Sequence, residues 1–355
     1  MLSFSARGLV NVTQLCEFDE LIDVRSPAEF AEDHIPGAVN CPVLDDAERK
    51  QIGTIYKQAS SFEAKKTGAA LIARNIAHHI EQVFITRQKD WRPLVYCWRG
   101  GNRSAALVHV LEQVGWRAGR LKGGYKSYRA AVIEGLLKLP KRFRFRVICG
   151  PTGSGKSRLI QMLDLLGAQV LDLERLAAHR GSVLGDLPGE PQPAQKMFES
   201  LIWAKLQGFD PAKLVYVESE SKKIGNLHLP DALLDAMWRG RCIRIEANSS
   251  LRATLLKDEY QHFLHNPEML FQKLELLNSR YGHDLINCWK SYVADGRWDT
   301  LVIELLERHY DPAYSKSTLK HYADFQNAPI LNVKATGDAE MRQLAQNIIS
   351  ESGKD

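Results

Sequence analysis

Short runs of continuously apolar residues alternate along the first two thirds of the chain with segments of helical period. This is the grammar of a parallel sheet covered by crossover helices. LIDVRS (Leu21 to Ser26) and LVYCW (Leu94 to Trp98) read as buried strands. Pro27 opens a helical AEFAEDH, and IPGAVNCP reads as a turn and then a strand. SAALVHVLEQVG is amphipathic and is closed by Gly115, a helix stop that tolerates the left-handed conformation. The stretch from Asp45 to Trp91 is longer than a simple crossover and contains the helical AALIARNIAHHIEQVF. Its basic, polar GTIYKQASSFEAKK reads as a partner surface or as a solvated helical insertion. LKGGYKSYRAAVIEGL ends the first set with a glycine turn and a helix.

A second set begins near Leu139. LPKRFRFRVICG alternates Lys141, Arg142, Arg144 and Arg146 with Phe143 and Phe145. That pattern suits phosphate binding with base stacking, but the period of two favours a half-buried strand entry. Further strands are expected at QVLDLE, KLVYVES and RCIRIEA, and Leu251 to Asp355 reads as mostly helical. The expected architecture is α/β, with domains over 1–138 and 139–355 and a helical C-terminal region.

Length and composition agree with this division. The chain has 355 residues, 45% of them apolar and 25% charged, which suits two globular domains. A net charge of +5 permits an anionic partner without requiring one. Six cysteines stand apart without C-x-x-C pairs, which argues against a structural zinc site and against a disulfide framework. No secretion signal or run of about 20 apolar residues is evident, so a cytoplasmic protein that engages no membrane is expected.

Two loops carry the chemistry. GPTGSGKS has the full G-x-x-x-x-G-K-[ST] spacing, with a strand before it and a helix after it. The backbone from Gly150 through Gly153, Ser154 and Gly155 is expected to converge its N–H groups on a phosphate. Lys156 then reaches the terminal phosphates, and the Ser157 hydroxyl is a ligand for Mg2+. Acidic partners at strand ends are Asp172 and Glu174 after QVL, and Glu218 and Glu220 after KLVYV. A glutamate stands where a P-loop NTPase usually has aspartate, so a diphosphate grip is as consistent as nucleotide hydrolysis. Whether a nucleotide binds stays open.

In YCWRGGNRS, Cys97 ends a strand before a glycine loop and a helix, a position that favours a thiolate. Arg99 and Arg103 add charge suited to an oxyanion. The same C-x-x-x-x-x-R spacing is that of cysteine phosphatases, for which Asp23 or Asp33 would be the acid.

DVRSPAEFAEDHIPGAVNCP, YCWRGGNRS and LKGGYKSYR resemble a rhodanese-type sulfurtransferase domain, and that domain followed by a P-loop domain resembles the tRNA 2-selenouridine synthase family. GTIYKQ, HRGSVLG and VESESKKIG are similar to that family in particular. The active loop is one residue longer than in many simple rhodaneses, which points to a donor other than thiosulfate. The resemblance implies exchange of sulfur for selenium in wobble 2-thiouridine of a tRNA anticodon loop, with selenophosphate as donor, and S-geranylation of the same base by geranyl diphosphate. Cys97 would carry selenium, Arg99 and Arg103 would hold its phosphate, and the P-loop with Mg2+ would hold the prenyl diphosphate. Arg180, Ser182 and Lys222 fall in family-like segments. Arg117, Arg120, Lys122, Lys126 and Arg129 form the densest basic stretch, expected to meet tRNA phosphates, with Tyr125, Tyr128 and Trp98 as stacking rings. An apolar helix face of Met197, Phe198, Trp203 and Leu206 is offered for the prenyl chain. The rival readings are a cysteine phosphatase and a sulfur-relay module that modifies no RNA.

Overall fold

A computed structural model describes residues 8–352. Two compact units are present, one of residues 1–135 with 199–204 and one of 136–198 with 205–355.

The first unit is built on a five-stranded sheet in the order Leu9–Val10, Gly119–Leu121, Pro93–Tyr96, Glu20–Asp23, Val39–Asn40. All of its pairings are parallel. The central strand, Pro93–Tyr96, is buried along its length because both faces are covered, which is why it reads as an unbroken apolar run. Leu9–Val10 is too short to show a pattern in the sequence. The segment from Asp45 forms two capped helices, Asp46–Gln58 and Ser61–His79, with Asp45 and Ser60 accepting from the N–H groups of Glu48 and Glu63. Ile76 and Phe84 at its end join the core with Ile22, Val95, Leu107 and Leu111.

The second unit has its own parallel sheet, in the order Ile330–Asn332, Arg241–Glu246, Arg144–Cys149, Leu214–Glu218, Gln169–Leu171. The RFRFR alternation resolves as a strand entry: Phe143 and Phe145 are buried while Arg144 is exposed. Ile330–Asn332 is a strand within the stretch read as helical; it is three residues long and mostly exposed, too short to show a strand period. Ile148, Ile160, Leu163, Val170 and Ile245 form the core at the sheet. A separate helical cluster is centred on Leu274, Ile286, Trp289 and Leu301. Each such side chain, once fully buried, contributes about 1.5–3 kcal/mol to folding.

Phe198, Trp203 and Leu206 are buried, so the apolar face on Gln195–Gln207 is core and not a lipid groove. Among the described residues, no helix is long and apolar enough to cross a membrane.

Candidate functional site

Strand ends set both centres. In the second unit, Arg144–Cys149 runs into the Gly150–Ser157 loop, and the helix Lys156–Leu165 follows. Gly153 and Gly155 adopt φ of +76° and +89°, a conformation that side chains resist. Lys156 Nζ lies 2.8 Å from the Gly150 carbonyl and 3.2 Å from that of Pro151, folded back across the loop. Arg252, on the helix Ser249–Glu259, braces the loop from outside. It donates from Nε to the Thr152 carbonyl at 2.8 Å and is held by Asp311 through two contacts of 2.9 and 2.6 Å.

Three carboxylates gather beside the loop. Glu174, Glu218 and Glu220 place oxygens within 4.8 Å of one another, and Ser157 donates to Glu174 at 2.8 Å. Register puts Glu218 opposite Ile148, at the end of the strand next to the loop strand. Its carboxylate is wholly buried, with no hydrogen-bond partner for either oxygen. Burial and the Glu174 charge push Glu218 well above the usual carboxylate range. Burial and Glu220 hold Glu174 at about 8, despite Lys156 and the Ser157 hydroxyl. Burial raises Glu220 too, with Lys156 opposing. Orphaned carboxylate oxygens and a hydroxyl form a set of hard oxygen donors, and these suit a small divalent cation.

Asp172 does different work. It caps the helix Leu173–Ala177 by accepting from the Arg175 N–H at 2.9 Å, and it lies outside the three-carboxylate group. The Arg180–Ser182 turn covers that group. A Cβ on Gly181 would come within 2.9 Å of Glu220 Oε2 and 3.2 Å of Glu174 Oε1. Arg180 lies over the Tyr260 ring at 4.8 Å, and Ser182 Oγ is 3.4 Å from the Tyr260 hydroxyl. Lys222 pairs with exposed Asp231 at 3.0 Å, on the rim. Together these elements enclose a cavity of about 870 Å3 into which Lys156, Arg158, Arg175, Arg180 and Arg280 bring positive charge.

In the first unit, Cys97 follows Pro93–Tyr96 and precedes the helix Asn102–Val114. It is buried, with Sγ 3.3 Å from Ser104 Oγ. The Gly123–Gly124 turn fixes the loop: the N–H groups of Tyr125 and Lys126 donate to the carbonyls of Cys97 and Trp98. A Cβ on Gly124 would fall 2.2 Å from the Cys97 carbonyl oxygen and 2.4 Å from the Gly100 nitrogen, so only glycine fits. Arg99 is exposed, whereas Arg103 pairs with Glu29 at 2.9 Å. That contact holds the Glu29 carboxyl low against the opposing effect of burial.

The two aspartates offered as alternatives for a phosphatase's general acid are committed elsewhere. Asp23 is buried and chelates Arg25, at 2.6 Å to NH2, and Asp33 accepts from the Tyr125 hydroxyl at 2.7 Å. Arg25 also stacks over the Tyr125 ring at 4.0 Å. Tyr125 and Tyr128 are therefore core side chains and offer no face to a base, whereas Trp98 is half-buried. Of the basic stretch, Arg117, Lys122 and Lys126 are exposed, Arg120 is half-buried in its strand, and Arg129 is paired with Glu199.

Comparison with known proteins accounts for both centres in one chain. The rhodanese-like domain model matches residues 10–131, and the model of the tRNA 2-selenouridine synthase AAA domain matches 143–287. A tRNA 2-selenouridine synthase of Shewanella sediminis is 30% identical over 325 residues, covering 83% of this chain and 86% of that one. The chain belongs to the tRNA 2-selenouridine synthase family. The family member from Nitrosomonas europaea is 36% identical over 259 residues, 71% of this chain and 66% of that one, so this alignment spans just under two thirds of the relative. A solved rhodanese-related protein of Thermoplasma volcanium is 22% identical, with a TM-score of 0.22, over 34% of this chain and 88% of that one. The fold is thus a rhodanese domain followed by a P-loop α/β domain.

Family motifs in the sequence did not disclose everything in these sites. Arg252, Tyr260 and Glu259 lie in the stretch with no nameable motif, yet Arg252 anchors the loop, and Tyr260 and Glu259 line the cavity. Burial pushes the Glu259 carboxyl up against the opposing charges of Arg158, Arg180 and Lys156. The one available signal was an arginine amid the apolar positions of LRATLL, where a cation needs a partner.

Proposed function

We propose that the protein replaces sulfur by selenium in the wobble 2-thiouridine of tRNA, after alkylating that sulfur with geranyl diphosphate. The observation that carries this reading is the pairing of a phosphate loop, walled by cations and buried carboxylates, with a separate strand-end cysteine in a rigid glycine-braced loop. Family membership supports the substrate.

In the first step the thiocarbonyl sulfur attacks the allylic carbon of the donor. The carbon–oxygen bond breaks, its electron pair leaves with diphosphate, and the uridine loses its N3 proton. Lys156 and the loop N–H groups hold the diphosphate as charge builds on it. Mg2+ held by Ser157, Glu174 and Glu218 or Glu220 would supply further neutralisation of that charge. Arg180 and Ser182, which line the same cavity, would contact the head group.

In the second step the Cys97 thiolate attacks the selenium of selenophosphate; the phosphorus–selenium bond breaks, its electron pair leaves with phosphorus as phosphite, and the selenium so oxidised stays on Cys97 as a perselenide. Arg99 and Arg103 orient the phosphate. The terminal selenium then adds to C2 and the geranyl thiolate departs. A small thiol next attacks the Cys97 sulfur, releasing the selenouridine and leaving a mixed disulfide that a second thiol reduces. Exposed Arg117, Lys122 and Lys126 would contact tRNA phosphates, and Trp98 is the ring left to stack on the base.

Nucleoside mass spectrometry of 2-thiouridine tRNA, with each donor omitted in turn, tests this. Wild type should yield selenouridine, Cys97→Ala should stop at the geranylated base, and Lys156→Ala should give neither. Unmodified tRNA with every combination of donors would sink the proposal in favour of a sulfur relay.

A further inference from the structure

The Gly150–Ser157 loop occupies one end of the second unit's sheet, and a different chemistry collects at the other. The strand Arg144–Cys149 is six residues long, which sets its first residue about 20 Å from the loop. Around the strand starts lies an open cleft of about 710 Å3, into which Lys141, Arg144, Arg146, Arg239 and Arg241 bring positive charge. Among the described residues, no Asp or Glu lines it. Register sets Arg146 directly opposite Arg241, and Arg144 opens the same strand as Arg146. Gly240 brings the two sides close. A Cβ there would come within 2.8 Å of the Phe145 carbonyl oxygen and 3.0 Å of Val147 Cγ2, so the turn that carries Arg239 and Arg241 passes against the strand. The carbonyl end of the helix Asp231–Trp238 favours a cation, but it accounts for Arg239 alone. Like charges gathered in this way repel one another, and an anion in the cleft offsets that repulsion.

We propose that this cleft binds the phosphodiester backbone of tRNA, as a contact surface of the second unit remote from the Gly150–Ser157 loop. This rests on the reading of tRNA as the substrate. Lys141, Arg144, Arg239 and Arg241 are exposed, and Lys141 and Arg239 take part in no ion pair among the described residues, so both can meet phosphates without breaking an existing contact. Cations spread across an open cleft suit an extended polyanion, and an arginine fork takes two phosphate oxygens at once. Phe143 and Phe145 are buried, so the RFRFR stretch offers no ring to a base. Contacts confined to phosphates position an RNA without reading its sequence. The cleft therefore strengthens the binding of any tRNA, with or without 2-thiouridine, and leaves the choice of base to the reacting centres.

Fluorescence anisotropy of labelled tRNA with the full chain, over a range of salt, tests this. Each phosphate contact contributes about 0.7–0.9 to the slope of log affinity against log salt. Lys141→Gln with Arg239→Gln should flatten that slope by about 1.4–1.8 and weaken binding by at least about tenfold at about 0.1 M salt. The loss should be the same for tRNA with and without 2-thiouridine. Arg74→Gln with Lys89→Gln removes two exposed charges outside the cleft and should leave the slope unchanged. In nucleoside assays the cleft variant should raise the KM for tRNA by a similar factor and keep the wild-type kcat. An unchanged slope in the cleft variant, or an equal loss in the control pair, overturns the proposal. So does a loss confined to inorganic phosphate binding with tRNA affinity intact, which would assign the cleft to a small anion. Should the double variant unfold, Arg239→Glu decides, and a tRNA affinity equal to wild type there overturns the proposal. A wild type that binds tRNA through the cleft yet modifies no nucleoside would sink the transferase reading and leave the surface standing. Full modification with an unaltered KM for tRNA in the cleft variant would do the reverse.

Discussion

Glu174 makes the second unit sensitive to pH in a direction opposite to that of most carboxylates. Its folded-state pKa of about 8 stands above the ordinary 4.5, because burial and Glu220 both disfavour its charge. Below pH 4.5 the folded and unfolded chains both hold the proton, and Glu174 costs nothing. Between 4.5 and 8 the unfolded chain releases the proton while the folded chain keeps it, so stability falls as pH rises. Near pH 8 the accumulated cost is on the order of 4 kcal/mol, each tenfold difference in proton affinity being about 1.4 kcal/mol. Glu174→Gln keeps an acceptor for the Ser157 hydroxyl and removes the titration. It should stabilise the second unit by about 2–4 kcal/mol at pH 8, raising its melting transition by about 5–10 °C, and by little at pH 4.5. Scanning calorimetry at the two pH values without divalent cations reads this directly. Added Mg2+ should then stabilise wild type more than the variant, and more at pH 8 than at pH 6, because a cation displaces the retained proton. Equal melting of the two proteins at pH 8, or an equal difference at both pH values, would refute the account of the carboxylate group.

Gly124→Ala should displace the Cys97 loop, since its Cβ would overlap the Cys97 carbonyl at a φ of +59°. A loss of about 2–4 kcal/mol in the first unit is expected in denaturant titration, with slower alkylation or loading of Cys97 by mass spectrometry. Arg25→Ala leaves Asp23 buried and unpaired, and should cost about 3–5 kcal/mol, whereas Arg25→Ala with Asp23→Ala should recover part of that loss. A single variant as stable as wild type in thermal unfolding would contradict the role of this pair.

Local chemistry was legible because it is local. The Gly150–Ser157 spacing forces a turn with positive φ at Gly153 and Gly155, wherever the loop sits in the molecule. Apolar runs such as Leu94 to Tyr96 can be satisfied only when buried on both faces, so strand and fold class follow from the pattern. Cys97 and its glycine loop are adjacent in sequence, and so are Lys156 and Ser157.

What the sequence could not supply were contacts between distant segments. Asp172 and Glu174 are two residues apart, and only the helix that Asp172 caps decides which of them faces Ser157. Arg252 is one hundred positions from Thr152, and Asp311, which orients it, is further on still. Tyr125 reads as an exposed ring in a basic stretch until Asp33 and Arg25 are found packed against it. The apolar helix face at Phe198 and Trp203 has the same periodicity whether it lines a lipid groove or a core. Periodicity records that a face is apolar, and only packing against the rest of the chain decides what that face meets.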